Sequence, residues 1–147
     1  MKNPKKEVSS IVLVGGCFDI LHYGHIHFLK KAKALGSYLV VALESDKNIK
    51  RLKGKKRPIN GQVQRREMLE SLRFVDQVII LADEMKDKDY EKLVSIVSPN
   101  VIAVTQGDPI TEKKRKQAEK IGATFTEIPK IKVPSTTKIL EILNLER

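Results

Sequence analysis

Short, fully apolar runs alternate along the chain with stretches in which apolar residues return every third or fourth position. Ile11–Val14 (IVLV), Tyr38–Leu43 (YLVVAL), Gln77–Leu81 (QVIIL), Val101–Val104 (VIAV) and Thr124–Ile128 (TFTEI) have the length and side chains of buried strands. Between Gly24 and Leu35, the residues Phe28, Leu29, Ala32 and Leu35 share one helical face, and Gly36 supplies the stop. Further helices are predicted near Gln62–Leu72, with Met68, Leu69 and Leu72 inward, and over Tyr90–Val97, closed by Ser98-Pro99. Two more fall at Thr111–Ile121, ended by Gly122, and at Thr136–Leu145. The polar, basic stretch from Glu44 to Gly61 reads as a long functional loop.

Alternating strands and helices with apolar strands predict an α/β three-layer sandwich, a mainly parallel five-stranded sheet covered on both faces. No repeat, low-complexity tract or linker marks a second unit, so residues 1–147 are expected to form a single domain with a flexible segment at 1–8. Ligands of such sheets bind beyond the carboxyl ends of the strands. The loop after the first strand is therefore the first place to look for chemistry.

Charge and cysteine content narrow the classes. The chain carries 28 Lys and Arg against 18 Asp and Glu, a net charge of +10, which attracts phosphorylated ligands, nucleic acids and acidic surfaces alike. With 5% aromatic residues and no tryptophan, an aromatic platform for stacked bases is not expected. The single cysteine, Cys17, excludes an intramolecular disulfide and suits a reducing cytoplasm. The start MKNPKKEVSS lacks the apolar stretch of a signal peptide, and no run reaches transmembrane length. A cytoplasmic protein with no membrane partner is expected.

All three histidines, His22, His25 and His27, lie in the segment GGCFDILHYGHIHF directly after the first strand. A zinc site would need ligands converging from one side, yet His25 and His27 point in different directions on a helix. A Cys17–His nucleophile pair lacks an orienting third group. Phosphate suits the segment better. Gly15 and Gly16 let a ligand approach the backbone, Gly24 opens a helix whose amino end attracts anions, and a histidine pair can donate to oxygens that gain charge.

The stretch GCFDILHYGH resembles the G-x-F-D-x-x-H-x-G-H signature of the cytidylyltransferase-like nucleotidyltransferases, with His22-Tyr23-Gly24-His25 as its H-x-G-H element. The resemblance runs from about Val8 to Leu143. It includes RLKG, RP and the later QR of the heptose-phosphate adenylyltransferase branch. It also includes LRFVDQVI, akin to IRYVDEVI of the glycerol-3-phosphate cytidylyltransferase branch, the turn TQGD, and VPSTTKIL near the carboxyl end.

What the resemblance implies is a Rossmann-like domain that transfers a nucleoside monophosphate from CTP or ATP to a small phosphorylated acceptor, releasing pyrophosphate. The acceptor would be glycerol 3-phosphate or a sugar or heptose phosphate; an FMN adenylyltransferase is the alternative within the superfamily. It implies His22 and His25 at the transferred phosphate, with Lys53 on the triphosphate and Lys50 as its substitute. Gly16, Cys17, Phe18 and Asp19 would form the nucleotide-binding turn. Arg73, Asp108, Ser135, Thr136 and Thr137 would contact the nucleotide, and Arg65 and Lys130 a phosphate. Arg65 and Arg73 read equally well as surface arginines, and Asp108 could also simply form a turn with Gly107 and Pro109. His27 lies outside the signature and reads as an ordinary helix-surface residue. Mg2+ is expected on the nucleotide's phosphates, with no metal site of the protein's own, and relatives suggest a homodimer. Pro109 after Asp108, and Lys130 where the cytidylyltransferase branch has arginine, leave the choice of base open. The alternative from another class is a basic nucleic-acid-binding module using Lys50–Arg57 and Lys113–Lys116.

Overall fold

The computed structural model describes residues 10–144; the segment 1–8, expected to be flexible, and the last residue of the helix expected at Thr136–Leu145 lie outside these. In chain order the elements are β1 (Ile11–Gly16), α1 (Tyr23–Lys33), β2 (Tyr38–Leu43), α2 (Asp46–Lys53), α3 (Gln62–Glu70), β3 (Gln77–Ile80), α4 (Asp87–Val97), β4 (Val101–Thr105), α5 (Thr111–Lys120), β5 (Thr124–Ile128) and α6 (Thr136–Ile142). The strands form one sheet in the order β3-β2-β1-β4-β5, and every ladder is parallel.

Alternation along the central strands builds two cores. Leu39, Val41 and Leu43 of β2 and Val12 and Val14 of β1 cluster with Phe28, Leu29 and Ala32 of α1 and Leu69 of α3. The intervening Val40, Ala42 and Leu13, with Ile102 of β4, cluster with Val94 of α4 and Ala118 of α5 on the other face. Full burial of each such Leu or Val contributes about 1.5–3 kcal/mol before ordering costs.

The pairing of β1 positions the site. Its register with β2 runs from Ile11↔Tyr38 to Gly16↔Leu43, whereas that with β4 covers Val12↔Val101 and Leu13↔Ile102. From there the chain leads to α1 on one face and, after β4, to α5 on the other. Beyond Leu13 a crevice opens between the carboxyl ends of β1 and β4, at the point where the strand order reverses.

Three expectations need correction. The stretch from Glu44 to Gly61 is not one loop, because it holds α2. Ser45 Oγ accepts from Asn48 N at 3.1 Å, Asp46 sits in the first turn, and Lys50, Arg51 and Lys53 occupy the last. Capping and charge at both helix ends sustain this helix. Its one buried residue, Ile49, is too little to make an apolar period. On α3 the buried residues are Arg65 and Leu69, four apart, while Met68 is 36% exposed and Leu72 lies past the helix end, partly buried. Leu35, likewise, lies beyond α1 and is exposed.

Candidate functional site

From Gly16 the chain turns through Cys17, Phe18 and Asp19 toward α1. Phe18 has a φ of 47° and lays its ring over Gly16, where a Cβ would stand 2.8 Å from Phe18 Cε2. Only glycine leaves room for that turn. His22 caps α1: its Nδ1 accepts from Gly24 N at 3.1 Å, while His22 N donates to His25 Nδ1 at 3.4 Å. The two rings stack with centroids 3.8 Å apart. A Cβ on Gly24 would lie 2.9 Å from both His22 Cε1 and Val133 Cγ2. The glycine of the H-x-G-H element is thus the space that the His22 ring occupies.

A ring nitrogen that accepts a backbone N–H carries no proton, so both imidazoles hold theirs on Nε2. Burial pushes His25 down to about 4, aided by the charge His22 takes when protonated and by Lys53, and opposed by the Ile20 backbone. Burial, then Lys53, also lowers His22. The pair is neutral at pH 7, with one N–H donor on each ring.

Asp19, expected at the nucleotide, is 1% exposed and works inside the protein. It accepts from Arg57 Nε at 2.8 Å, from Ile59 N at 2.9 Å and from Asn60 N at 3.0 Å. Burial pushes its carboxyl up, but the Asn60 and Ile59 amides and the Arg57 guanidinium outweigh that and hold it below the usual value. Arg57 is 1% exposed and also donates to Thr137 Oγ1 at 3.4 Å. Arg65, expected at a phosphate, is completely buried: it donates to Asn60 O, Cys17 O and Asp46 Oδ1 at 3.0, 2.8 and 2.7 Å. Both arginines brace the turn that presents the histidines. Arg57 is hidden in a run of charge, and its complement Asp19 is the signal that could have found it.

Two cavities meet at the crevice. The first, of about 310 Å3, is lined by His22, His25 and His27, by Gly16 to Asp19, and by Ser135 and Thr136. His27 is therefore on the wall rather than a plain surface residue. The second, of about 720 Å3, lies on the α4 and α5 side and includes Asp108. Gly15, Gly16, Cys17, Lys53, Thr105 and Lys130 belong to both walls. Burial pushes the Cys17 thiol up, so it is no thiolate nucleophile.

The remaining expected residues scatter. Ser135 Oγ accepts from Lys138 N as a cap, Thr136 is buried and donates to Ile20 O, and Thr137 faces Arg57 and lines neither cavity. Asp108 pairs with Lys114 at 3.1 Å and accepts from Ile110 N at 2.9 Å. Lys50 is exposed on α2, outside both cavities. Arg73 is exposed ahead of β3, where Asp76 N bonds Leu39 O near the start of β2. A parallel sheet puts every strand start at the end opposite the histidines, so within one chain Arg73 lies apart from them. Among the described residues no group of three or more His, Cys, Asp or Glu side chains could hold a metal, and no helix is long and apolar enough to cross a membrane.

The family model for cytidylyltransferase-like domains matches residues 13–141. The chain belongs to that family. With membership comes the class expected from the H-x-G-H element, a nucleotidyltransferase enzyme. The bifunctional protein HldE of a Nitratiruptor species is 42% identical over 144 residues, covering 95% of this chain and 29% of that protein. The HldE of Coxiella burnetii is 39% identical over 134 residues, 90% of this chain and 27% of that one. This cytidylyltransferase-like chain thus spans under a third of the length of the curated relatives it matches. The crystal structure of the lipopolysaccharide core biosynthesis protein from Thermoplasma volcanium superposes with a TM-score of 0.68 at 34% identity, covering 83% of this chain and 98% of that one. Pantoate-beta-alanine ligase from Francisella tularensis shares the fold, with a TM-score of 0.63 at 19% identity over 92% of this chain and 69% of that one.

Proposed function

We propose that the chain transfers a nucleoside monophosphate from ATP or CTP to a small sugar phosphate and releases pyrophosphate. The observation that carries this reading is the pair of neutral histidines, each holding its proton on Nε2, on a cavity that adjoins a second across Lys53 and Lys130. The nucleotide would lie in the first cavity and the acceptor in the second. An oxygen of the acceptor's phosphate, already an anion, attacks the α-phosphorus. A new P–O–P linkage forms as the bond from the α-phosphorus to the bridging oxygen breaks, and the electron pair departs with pyrophosphate. No general base and no covalent enzyme intermediate are needed.

The histidine N–H groups donate to the α-phosphate oxygens, whose charge grows along the way. Lys53 and Lys130 reduce the repulsion between the two anions at the shared wall. A Mg2+ ion carried on the triphosphate would supply further neutralisation, held by phosphate oxygens rather than by a cluster of side chains. Similarity to HldE and to a lipopolysaccharide core biosynthesis protein favours a sugar phosphate, with a heptose phosphate and ATP foremost. Of the basic run that suggested nucleic-acid binding, Arg57 is buried and Lys53 lines the cavities, which leaves less of it for a polyanion. A single domain, a cytoplasmic setting and a homodimer complete the proposal.

Pyrophosphate release over a panel of four nucleoside triphosphates and phosphorylated acceptors, FMN included, tests the reading. Release with ATP or CTP and a sugar phosphate is expected, falling about 10²–10³-fold in kcat in His22→Ala and His25→Ala. Undiminished turnover in both variants would remove the histidines from the reaction.

A further inference from the structure

The larger cavity has chemistry of its own. Glu44 follows β2 directly, and Tyr90 comes from the first turn of α4; both are half-buried and both line the cavity. The Tyr90 hydroxyl donates to Glu44 Oε2 at 3.3 Å, and Ser45 N donates to Glu44 Oε1 at 3.2 Å. Burial, reinforced by Glu44, pushes the Tyr90 hydroxyl up to about 12, so its proton stays and is directed to the carboxylate. The neighbouring Arg51, also on the cavity, gives Nε and Nη2 to Asn48 Oδ1 at 3.1 and 2.5 Å and keeps further N–H donors on its guanidinium. What the pair offers a ligand is lone pairs: on both Glu44 oxygens and on the Tyr90 oxygen. Leu13, Ala42, Leu81 and Ile102 supply apolar floor on the same cavity.

Arg51, Asn48, Gln106 and Gln117 bring donors to other parts of this cavity, but the Glu44–Tyr90 patch offers acceptors alone over an apolar floor, which suits a molecule with hydroxyl donors along one edge and C–H groups on its face. A carboxylate repels phosphate, and Lys113 and Lys114 on the same cavity are paired with Asp87 and Asp108, so the anionic end of that molecule belongs at Lys53 and Lys130. Resting on the transferase reading above, we infer that Glu44 and Tyr90 are the specificity-determining pair of the acceptor site, accepting hydrogen bonds from the ring hydroxyls of a sugar 1-phosphate whose phosphate lies at the lysine wall. An acceptor lacking those hydroxyls leaves the wall unpaired, and a second phosphate at that end meets Glu44 head-on.

Glu44→Gln keeps the shape and removes the charge; Tyr90→Phe removes one acceptor and frees Glu44 Oε2. Calorimetric titration of the full chain with aldose 1-phosphates from tetrose to heptose, with glycerol 3-phosphate and with FMN measures binding without turnover, and steady-state kinetics measures it with turnover. Glu44→Gln should weaken sugar 1-phosphate binding and raise its KM about 10- to 100-fold, and Tyr90→Phe about 3- to 10-fold, with the nucleotide KM within twofold. Melting temperatures close to that of the unsubstituted chain show that the variants fold, and either variant alone suffices. If no sugar 1-phosphate binds the unsubstituted chain, or if folded variants bind it as tightly, the assignment is overturned. If binding follows the assignment but no triphosphate yields pyrophosphate, the transferase reading falls and the pocket assignment stands.

Discussion

The histidine cavity and the Glu44–Tyr90 cavity share the exit of β1 and differ in how they are made. The first takes most of its wall from the segment between Gly15 and Phe28, with Lys53 of α2, Thr105 of β4, and the stretch from Pro129 into α6 added from further along the chain. Its donors are fixed by bonds between near neighbours, His22 to Gly24 and His22 to His25. The second is collected from β2, α2, α4 and the β4–α5 turn, and its central contact joins residues 46 apart. The histidine rings are set by local bonds on a turn that Arg57 and Arg65 brace from afar, whereas the Glu44–Tyr90 contact depends wholly on bringing β2 and α4 together.

The largest expected effect strikes the brace that both cavities lean on. Removing one partner of a buried ion pair costs about 3–5 kcal/mol, so Asp19→Ala should shift urea unfolding by that much and strip both cavities of ligand. A loss under about 1 kcal/mol would mean that Arg57 finds other partners easily. Next comes the shared wall. Lys53→Met should lower kcat/KM for nucleotide and acceptor together, by about 10²-fold. Lys50→Met, outside both cavities, should leave both within about twofold. An effect confined to one substrate would assign Lys53 to one cavity instead of the boundary.

The smallest effect is a pH dependence of stability. Between the ordinary value of 6.5 and about 4, an unfolded His25 binds a proton that the folded ring refuses. Its contribution to stability is whole above pH 6.5 and is lost as pH falls to about 4. The melting temperature of the unsubstituted chain should therefore drop further between pH 7 and pH 4.5 than that of His25→Gln. Equal drops would mean that the ring is not held neutral by its surroundings.

How much of this is legible in the sequence follows the same division. The strands, the start of α1 and the H-x-G-H element are readable because alternation, capping and glycine placement depend on close neighbours. α2 is not, since it buries Ile49 and little else. Arg65 reads as a phosphate ligand because a buried arginine and an exposed one look alike until the carbonyl of Cys17 and the carboxylate of Asp46 stand beside it. Motif order puts Arg73 at the nucleotide, whereas the direction of β3 sets it at the opposite end of its own chain's sheet from the histidines.

Sequence alone determined the parallel α/β order, the histidine turn and the family. Tertiary structure decided which charges work on a ligand and which hold the protein together. The physical reason is that a charged side chain takes its role from whatever lies within about 3 Å of it. For Arg57 that is Asp19, 38 residues earlier, and for Glu44 it is Tyr90 on a helix across the cavity.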